Sequence, residues 1–210
     1  MCIRDRTNTI ELSGISVLID GLNINASNTT ISGLIVNNFR SGIRGSTVRD
    51  SAFIWGNYIG SSPDGLTGEG NSSEGISLQR FTSSFIGTNG DDTNDENEGN
   101  LVVDNNQGIQ IRNTEDVLIA GNVVGLDKNT AAPLGNRFNG IFIRDATGVN
   151  FVGYNDNSSG ALASNFRNVS SGNGNDGLRV LNSDNQIISC LLYTSPSPRD
   201  ATLSRMPSSA

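Results

Sequence analysis

A glycine followed by alternating apolar residues recurs along the chain at nearly regular spacing, and this period restricts the possible folds more than any other feature. The glycines stand at positions 21, 42, 75, 108, 140 and 177, so the successive steps are 21, 33, 33, 32 and 37 residues. Such self-similarity is the signature of a repeat architecture and has to be identified before any local prediction. We therefore expect one structural unit that is copied about six times.

The residues after each glycine alternate between apolar and polar side chains, as in Ile109, Gln110 and Ile111. A period of two indicates a strand with one buried face, and the spacing of three and four residues that is typical of a helix is absent. One short strand cannot bury its apolar face, whereas stacked copies can. The residues expected in the core are Leu22, Ile24, Ile76, Leu78, Ile109, Ile111, Ile141, Ile143, Leu178 and Val180.

The shortest step, of 21 residues, is long enough for one coil of a three-stranded solenoid, with strands at 22–24, 30–31 and 34–36. The longer steps add turn-rich loops at 61–73, 88–100 and 126–138, which a surface tolerates because closure entropy grows slowly with length. Stacked coils pair their strands in parallel, about 4.8 Å apart, and parallel crossovers are right-handed. The predicted fold is therefore all-β, a right-handed parallel β-helix solenoid of about six coils.

Short segments rich in glycine and asparagine resemble the repeats of a known group of proteins. Residues 56–60, 168–173 and 175–180 resemble the parallel β-helix repeats of large bacterial surface and secreted proteins, which share their architecture with pectate lyases. In that group two kinds of segment alternate, and the steps of 66 residues from Gly42 to Gly108 and 69 from Gly108 to Gly177 agree. The resemblance implies an exported protein, extracellular or at the cell surface, with a structural, adhesive or glycan-binding role. The resemblance is specific for the fold and weak for activity, because unrelated functions occur on this scaffold.

Both ends of the chain match translated sequencing-adapter DNA. One adapter sequence, translated from its two strands, encodes residues 1–5 and residues 190–195. We interpret residues 1–6 and 190–210 as adapter-derived and residues 7–189 as one β-helix domain that is truncated at both ends; a native Ser/Pro-rich tail is the alternative for the second segment. Both cysteines, Cys2 and Cys190, lie in these end segments. The domain itself therefore has no cysteine for a disulfide or a thiolate metal site.

The charge of the domain limits its partners. Without the end segments, 10 basic and 19 acidic residues remain, which gives a net charge of −9, and Lys128 is the one lysine. A chain this acidic is a poor candidate for binding nucleic acid or anionic membranes, and no apolar run approaches the length of a membrane span. We expect no nucleic acid and no membrane insertion, a polysaccharide or cell-surface glycan as the partner, and a monomeric full-length protein.

Two arginines are candidates for a functional face. Arg112 and Arg144 each stand four residues after their glycine, so in stacked coils they should lie one above the other on the outer surface. Stacked cations repel unless an anion lies between them, and Glu115, Asp116 and Asp145 are close in sequence. A guanidinium matches the carboxylate of a uronate, so one hypothesis is a polysaccharide groove. The alternative is a solvated Arg/Asp face that contributes little energy.

A polysaccharide lyase or glycoside hydrolase is the competing function. The resemblance implies that β-helix lyases abstract a proton with Arg or Lys beside Ca²⁺-binding acids, an arrangement that Asp116 or Asp145 with Arg112 or Arg144 would imitate. These four residues are the candidate catalytic set. Histidine is absent, which excludes Ser/His and Cys/His nucleophiles, and no family motif matches residue by residue. The sequence therefore favours a role without catalysis.

An acidic loop is the candidate metal site. Asp91, Asp92, Asp95 and Glu96 place carboxylate oxygens close together, and such ligands suit Ca²⁺. The glycine and terminal glutamate of a twelve-residue calcium loop are missing, so a solvated loop tip is the alternative. No other cofactor is expected.

Asparagines recur beside the strands, at Asn57, Asn105, Asn122 and Asn173. Asparagine tolerates left-handed backbone and bonds to its own turn, and asparagines in successive coils can stack. We expect these four residues to be structural and to form a side-chain ladder.

Overall fold

A computed structural model describes residues 10–15, 18–91, 93–153 and 166–188. The end segments 1–6 and 190–210 lie outside the described residues. The described strands, in chain order, are β1 (Ile10–Ser13), β2 (Leu22–Ile24), β3 (Thr29–Ser32), β4 (Leu34–Asn37), β5 (Ile43–Gly45), β6 (Arg49–Asp50), β7 (Ala52–Trp55), β8 (Tyr58–Ile59), β9 (Glu74–Gln79), β10 (Phe81–Gly87), β11 (Leu101–Val102), β12 (Gln107–Arg112), β13 (Glu115–Ala120), β14 (Val123–Val124), β15 (Ile141–Arg144), β16 (Phe151–Val152), β17 (Val169–Ser170), β18 (Leu178–Leu181) and β19 (Ile187–Ile188). A short 3-10 turn, Asp95–Asn97, precedes β11.

The strands form three parallel sheets, and successive coils add successive strands to each sheet. The first sheet has the order β2-β5-β9-β12-β15-β18, the second β3-β7-β10-β13-β16-β19 with β6 beside β10, and the third β1-β4-β8-β11-β14-β17. The architecture is a right-handed parallel β-helix, which confirms the predicted fold. Among the described residues no helix is long and apolar enough to cross a membrane.

The expected alternation holds through the middle of the first sheet. Ile109 and Ile111 of β12 are completely buried, and they align with the isoleucines of β15 on the next coil. Val180 departs from the prediction, with 38% exposure, because β18 is the outermost strand of its sheet. The chain before Gly21 contributes a strand of an earlier coil, because β1 pairs with β4, whereas Ile15 and Ile19 are exposed.

Close approach between coils explains the repeated glycines. A Cβ on Gly75 would lie 2.9 Å from the carbonyl oxygen of Gly108, and a Cβ on Gly42 would lie 2.7 Å from that of Gly75. Because these residues stack in a column, any side chain would enter the backbone of the next coil. The glycine period is therefore a packing requirement of the stacked coils.

Two ladders of buried asparagines run along the axis. In each, the Nδ2 atom of one asparagine donates to the Oδ1 atom of the next at 2.8–3.1 Å, and the backbone N–H donates to the same oxygen. The predicted ladder is thus confirmed, but its four members divide between two. The first ladder contains Asn57, Asn100, Asn122 and Asn168, and the second contains Asn71, Asn105, Asn136 and Asn173.

The predicted loops lie at two different corners of the solenoid. Residues 61–73 and 126–138 connect the third sheet to the first, whereas residues 88–100 connect the second sheet to the third. The loop at 88–100 is held to the preceding coil, because the Gly56 N–H donates to the Glu98 carbonyl at 2.9 Å. Its side chains therefore lie beside the outer face of the second sheet.

The ladders predict a large effect of one buried amide on stability. The Asn122→Ala change removes the acceptor of both the side-chain amide and the backbone N–H of Asn100. A buried donor without a partner costs about 1–3 kcal/mol, so we expect a loss of at least about 2 kcal/mol in urea unfolding followed by circular dichroism. Asn129→Ala, at an exposed position, is the control. Equal midpoints for the two variants would contradict this role of the ladder.

Candidate functional site

The structure brings together three of the four candidate catalytic residues. Arg112 and Arg144 end β12 and β15 and are paired in register, which confirms that they lie one above the other. The Oδ2 atom of Asp145 lies 3.2 Å from the Nε atom of each. The amide of Asn182 donates to the other oxygen at 3.2 Å, and this bond, together with the two guanidiniums and against partial burial, lowers the pKa of Asp145. One carboxylate of the chain itself therefore offsets the repulsion between the arginines.

An outward aromatic ring extends this arginine face. Phe142 occupies the position between the two inward isoleucines of β15, where the repeat predicts a polar residue, and it is only 7% exposed. The guanidinium carbons of Arg144 and Arg179 lie 5.8 Å and 5.6 Å from its ring centroid, which are cation–π distances. The arginines therefore have aromatic as well as carboxylate partners, and an anionic ligand would have to compete with Asp145 for them.

Asp116, the fourth candidate, has a different partner. It has left-handed backbone, with a φ of 56°, and its Oδ2 atom accepts a hydrogen bond of 3.0 Å from the hydroxyl of Ser83 on the preceding coil. Asp116 is the closer of the two aspartates to Arg112 in sequence, but Asp145 makes the ion pair with Arg112.

The acidic loop is organised by local hydrogen bonds. Asp91 accepts from the Thr93 N–H at 2.9 Å, and exposed Glu96 accepts from the amide of Asn97 at 3.2 Å; Asp92 lies outside the described residues. Asp95 is 3% exposed, and its Oδ1 atom accepts from a threonine hydroxyl at 2.9 Å. In the part of the chain that the structure describes, no three carboxylates are grouped as a metal site. Calcium binding here stays a prediction.

A groove between this loop and the second sheet is the site that the sequence analysis missed. It has a volume of about 270 Å³, near the lower end of the range for small-molecule pockets. Phe53 and Phe85 are paired in register on successive coils, so their rings stack with centroids 5.3 Å apart and planes 10° apart. The groove is lined by Thr30, Phe53, Trp55, Phe85, Gly87, Asn89 and Glu98.

Gly87 lines the groove, and close approach to the next coil requires a glycine at this position. Its φ is +98°, and a Cβ there would collide with the carbonyl oxygen of Ala120. The register that pairs Ile86 with Ile54 places Gly87 beside Trp55. Both residues line the groove.

Glu98 gives the groove an acidic polar group. It is 8% exposed, and burial raises the pKa of its carboxyl, with the charges of Asp95 and Asp91 acting in the same direction against the hydrogen bond from the backbone of Asn89. That bond, from the Asn89 N–H to the Oε2 atom of Glu98, measures 3.1 Å. Glu98, Asn89 and three aromatic residues therefore line one small space.

The sequence contains a signal for this site. Phe53, Phe85 and Phe151 occupy equivalent places in three coils, each directly before an inward Ile or Val, and they belong to one outward column. Trp55 is the one tryptophan of the chain. An aromatic residue repeated at an outward position indicates a surface feature, because the core requires only the residues that alternate with it.

The buried carboxyl of Glu98 predicts a pH effect on stability. Its pKa in the folded chain is above the ordinary value of 4.5, so the folded state holds this proton more tightly than the unfolded state. Stability from Glu98 is thus present below pH 4.5 and is lost as the pH rises through the raised pKa. Below pH 4.5 the urea midpoint of Glu98→Gln should equal that of the wild type. Above the raised pKa of Glu98 the midpoint of the variant should be the higher of the two.

The exposed neighbour Glu96 provides the control, since Glu96→Gln removes the same charge from a solvated side chain. The measured quantity is the difference in midpoint from the wild type as a function of pH, in which other titrating groups cancel. A flat difference for Glu98→Gln would contradict the effect of burial on this carboxyl.

Searches of protein-family models, of curated proteins and of solved structures found no match to this chain. Function is therefore inferred from the repeat, the geometry and the charges.

Proposed function

We propose that this chain is a repeat segment of an exported parallel β-helix protein that acts outside the cell, where its outer surface binds glycans. The single observation that carries the glycan-binding role is the aromatic groove, in which stacked Phe53 and Phe85 meet Trp55, Asn89 and Glu98. The resemblance of the repeats to bacterial surface and secreted proteins supports export and an adhesive or structural setting. The solenoid supplies the rigid frame that such a site needs.

The chemistry of the groove suits a sugar. A pyranose presents CH groups on its faces and hydroxyls around its edge, so it needs an apolar wall and hydrogen-bonding groups within the same small space. Aromatic rings combine a large apolar area with little conformational entropy to lose. A carboxylate accepts hydrogen bonds from hydroxyls, and an amide both donates and accepts them. The groove has both features, whereas the strand edges and turns around it are mainly polar.

The second candidate function is a polysaccharide lyase acting at the arginine face. The observation in its favour is the in-register pair of Arg112 and Arg144 beside Asp145, which would bind the carboxylates of a uronate polymer and leave a guanidinium near the sugar carbon. Calcium bound by the acidic loop would belong to this alternative. The ion pairs with Asp145 weigh against it, because they already balance the charges that a uronate would need.

Binding to immobilised polysaccharides tests the first proposal. The complete chain should be retained on at least one of β-glucan, mannan, xylan, pectate and alginate, and Phe53→Ala should weaken that retention roughly tenfold, since it deletes an aromatic wall worth about 1.5–3 kcal/mol when fully buried. Phe138→Ala, at an exposed phenylalanine on another loop, should bind like the wild type. A folded chain that no polysaccharide retains would sink the proposal.

A calcium-dependent release of unsaturated uronates from pectate or alginate tests the alternative. If the arginine face is catalytic, Arg112→Ala and Arg144→Ala should each lower the rate at least roughly a hundredfold, as loss of one group that stabilises developing charge does. Arg137→Ala, on the loop at 126–138, should keep the activity. An unchanged rate of uronate formation in both arginine variants would show that these residues have no catalytic role.

A further inference from the structure

We infer that the aromatic groove binds a neutral pyranose ring of a glycan and discriminates against uronates. This inference rests on the proposed glycan-binding function and specifies both its site and its ligand class. The lining of the groove, the burial of its carboxyl group and the charges on the loop behind it favour this ligand class.

The groove has an apolar wall of fixed geometry. The rings of Phe53 and Phe85 stack on one another, and their strands are paired in register. The column that contains them continues to Thr30 on one side, where a small polar residue replaces an aromatic one. At about 270 Å³ the groove has room for about one sugar ring. The wall is therefore already formed before a ligand arrives, which lowers the entropic cost of binding.

The polar side of the groove is acidic. Glu98 lines it, and Asp95 lies on the same loop, 3% exposed, with an Oδ2 atom that has no hydrogen-bond partner among the residues that the structure describes. Asp91, also on this loop, adds to the negative potential that Glu98 experiences. None of the residues that line the groove is a lysine or an arginine. A ligand carboxylate would thus meet negative charge without a cation, whereas a hydroxyl would find acceptors.

The arginine face shows the contrast within the same molecule. A uronate would be better matched by Arg112 and Arg144 on the first sheet, but both are paired with Asp145. The two outer faces therefore differ in ligand chemistry, and the acidic groove selects for uncharged sugars. Loss of the Glu98 charge should reduce that selectivity.

Trp55 provides a direct readout, because it is the one tryptophan of the chain and lines the groove. The probes are cellotetraose and the β-1,4-linked tetraglucuronate, which share linkage and ring shape and differ at C6 in a hydroxymethyl or a carboxylate group. Titration into the complete chain, with selective excitation of tryptophan, should give a saturable change in Trp55 emission. We expect the dissociation constant of the uronate to be roughly tenfold higher, which corresponds to about 1.4 kcal/mol.

Two pairs of variants sharpen the test, each measured after circular dichroism shows that the variant is folded. Phe85→Leu should weaken cellotetraose binding at least roughly fivefold by removing the stacked wall, and Phe138→Leu should not. Glu98→Gln should narrow the discrimination between the two probes to about twofold by removing the charge, while Glu96→Gln should keep it.

The outcomes separate this inference from the function on which it rests. Equal or tighter binding of the uronate through Trp55 would overturn the assignment to neutral sugars and leave glycan binding intact. Retention on polysaccharide columns without any response of Trp55 to either probe would place the binding site elsewhere and overturn the groove. A chain that neither binds columns nor responds to the probes would reject both proposals.

Discussion

The stacking of one coil on the next, with strands in register, is the constraint on which the rest of the structure depends. Every strand of a coil obtains its backbone hydrogen bonds from the coils above and below, so a coil alone would leave most of its N–H and C=O groups without partners. The glycine column lets the backbones approach closely. The asparagine ladders supply hydrogen-bond partners at the corners between sheets, where strand pairing stops. Shape, polar satisfaction and core burial are therefore properties of neighbouring coils together.

This constraint separates positions that are fixed from positions that are free. Inward residues must be apolar and the corner asparagines must be amides, whereas outward residues face solvent and can change without loss of the core. Register then converts an outward residue that recurs in the sequence into an axial column. Arg112 with Arg144, and Phe53 with Phe85, are two examples of such columns. A β-helix can thus carry different surface chemistries on adjacent sheets of one rigid frame.

The fold could be predicted from the sequence because the same strand pattern recurs in every repeat. Six glycines with the same alternation after each gave the first sheet, and the 21-residue step gave all three strands of a coil. The arginine pairing followed from the same spacing. Partners between loops could not be predicted in this way: Asp145 rather than Asp116 reaches the arginines because its turn lies at the end of β15, and this depends on side-chain direction and not on distance in sequence.

The groove was missed for a related physical reason. It is formed by an outward column of the second sheet and by a loop inserted between the second and third sheets, and the loop has no period that relates it to the strands. The three inserted loops are all rich in turn residues, yet of these three it is the loop at 88–100 that leaves from that corner. Burial of Glu98 and Asp95 there is unfavourable for folding, since each carboxylate loses water. Both carboxyls accept a hydrogen bond within the loop, Asp95 from the Thr88 hydroxyl and Glu98 from the Asn89 N–H, and these bonds offset part of that cost.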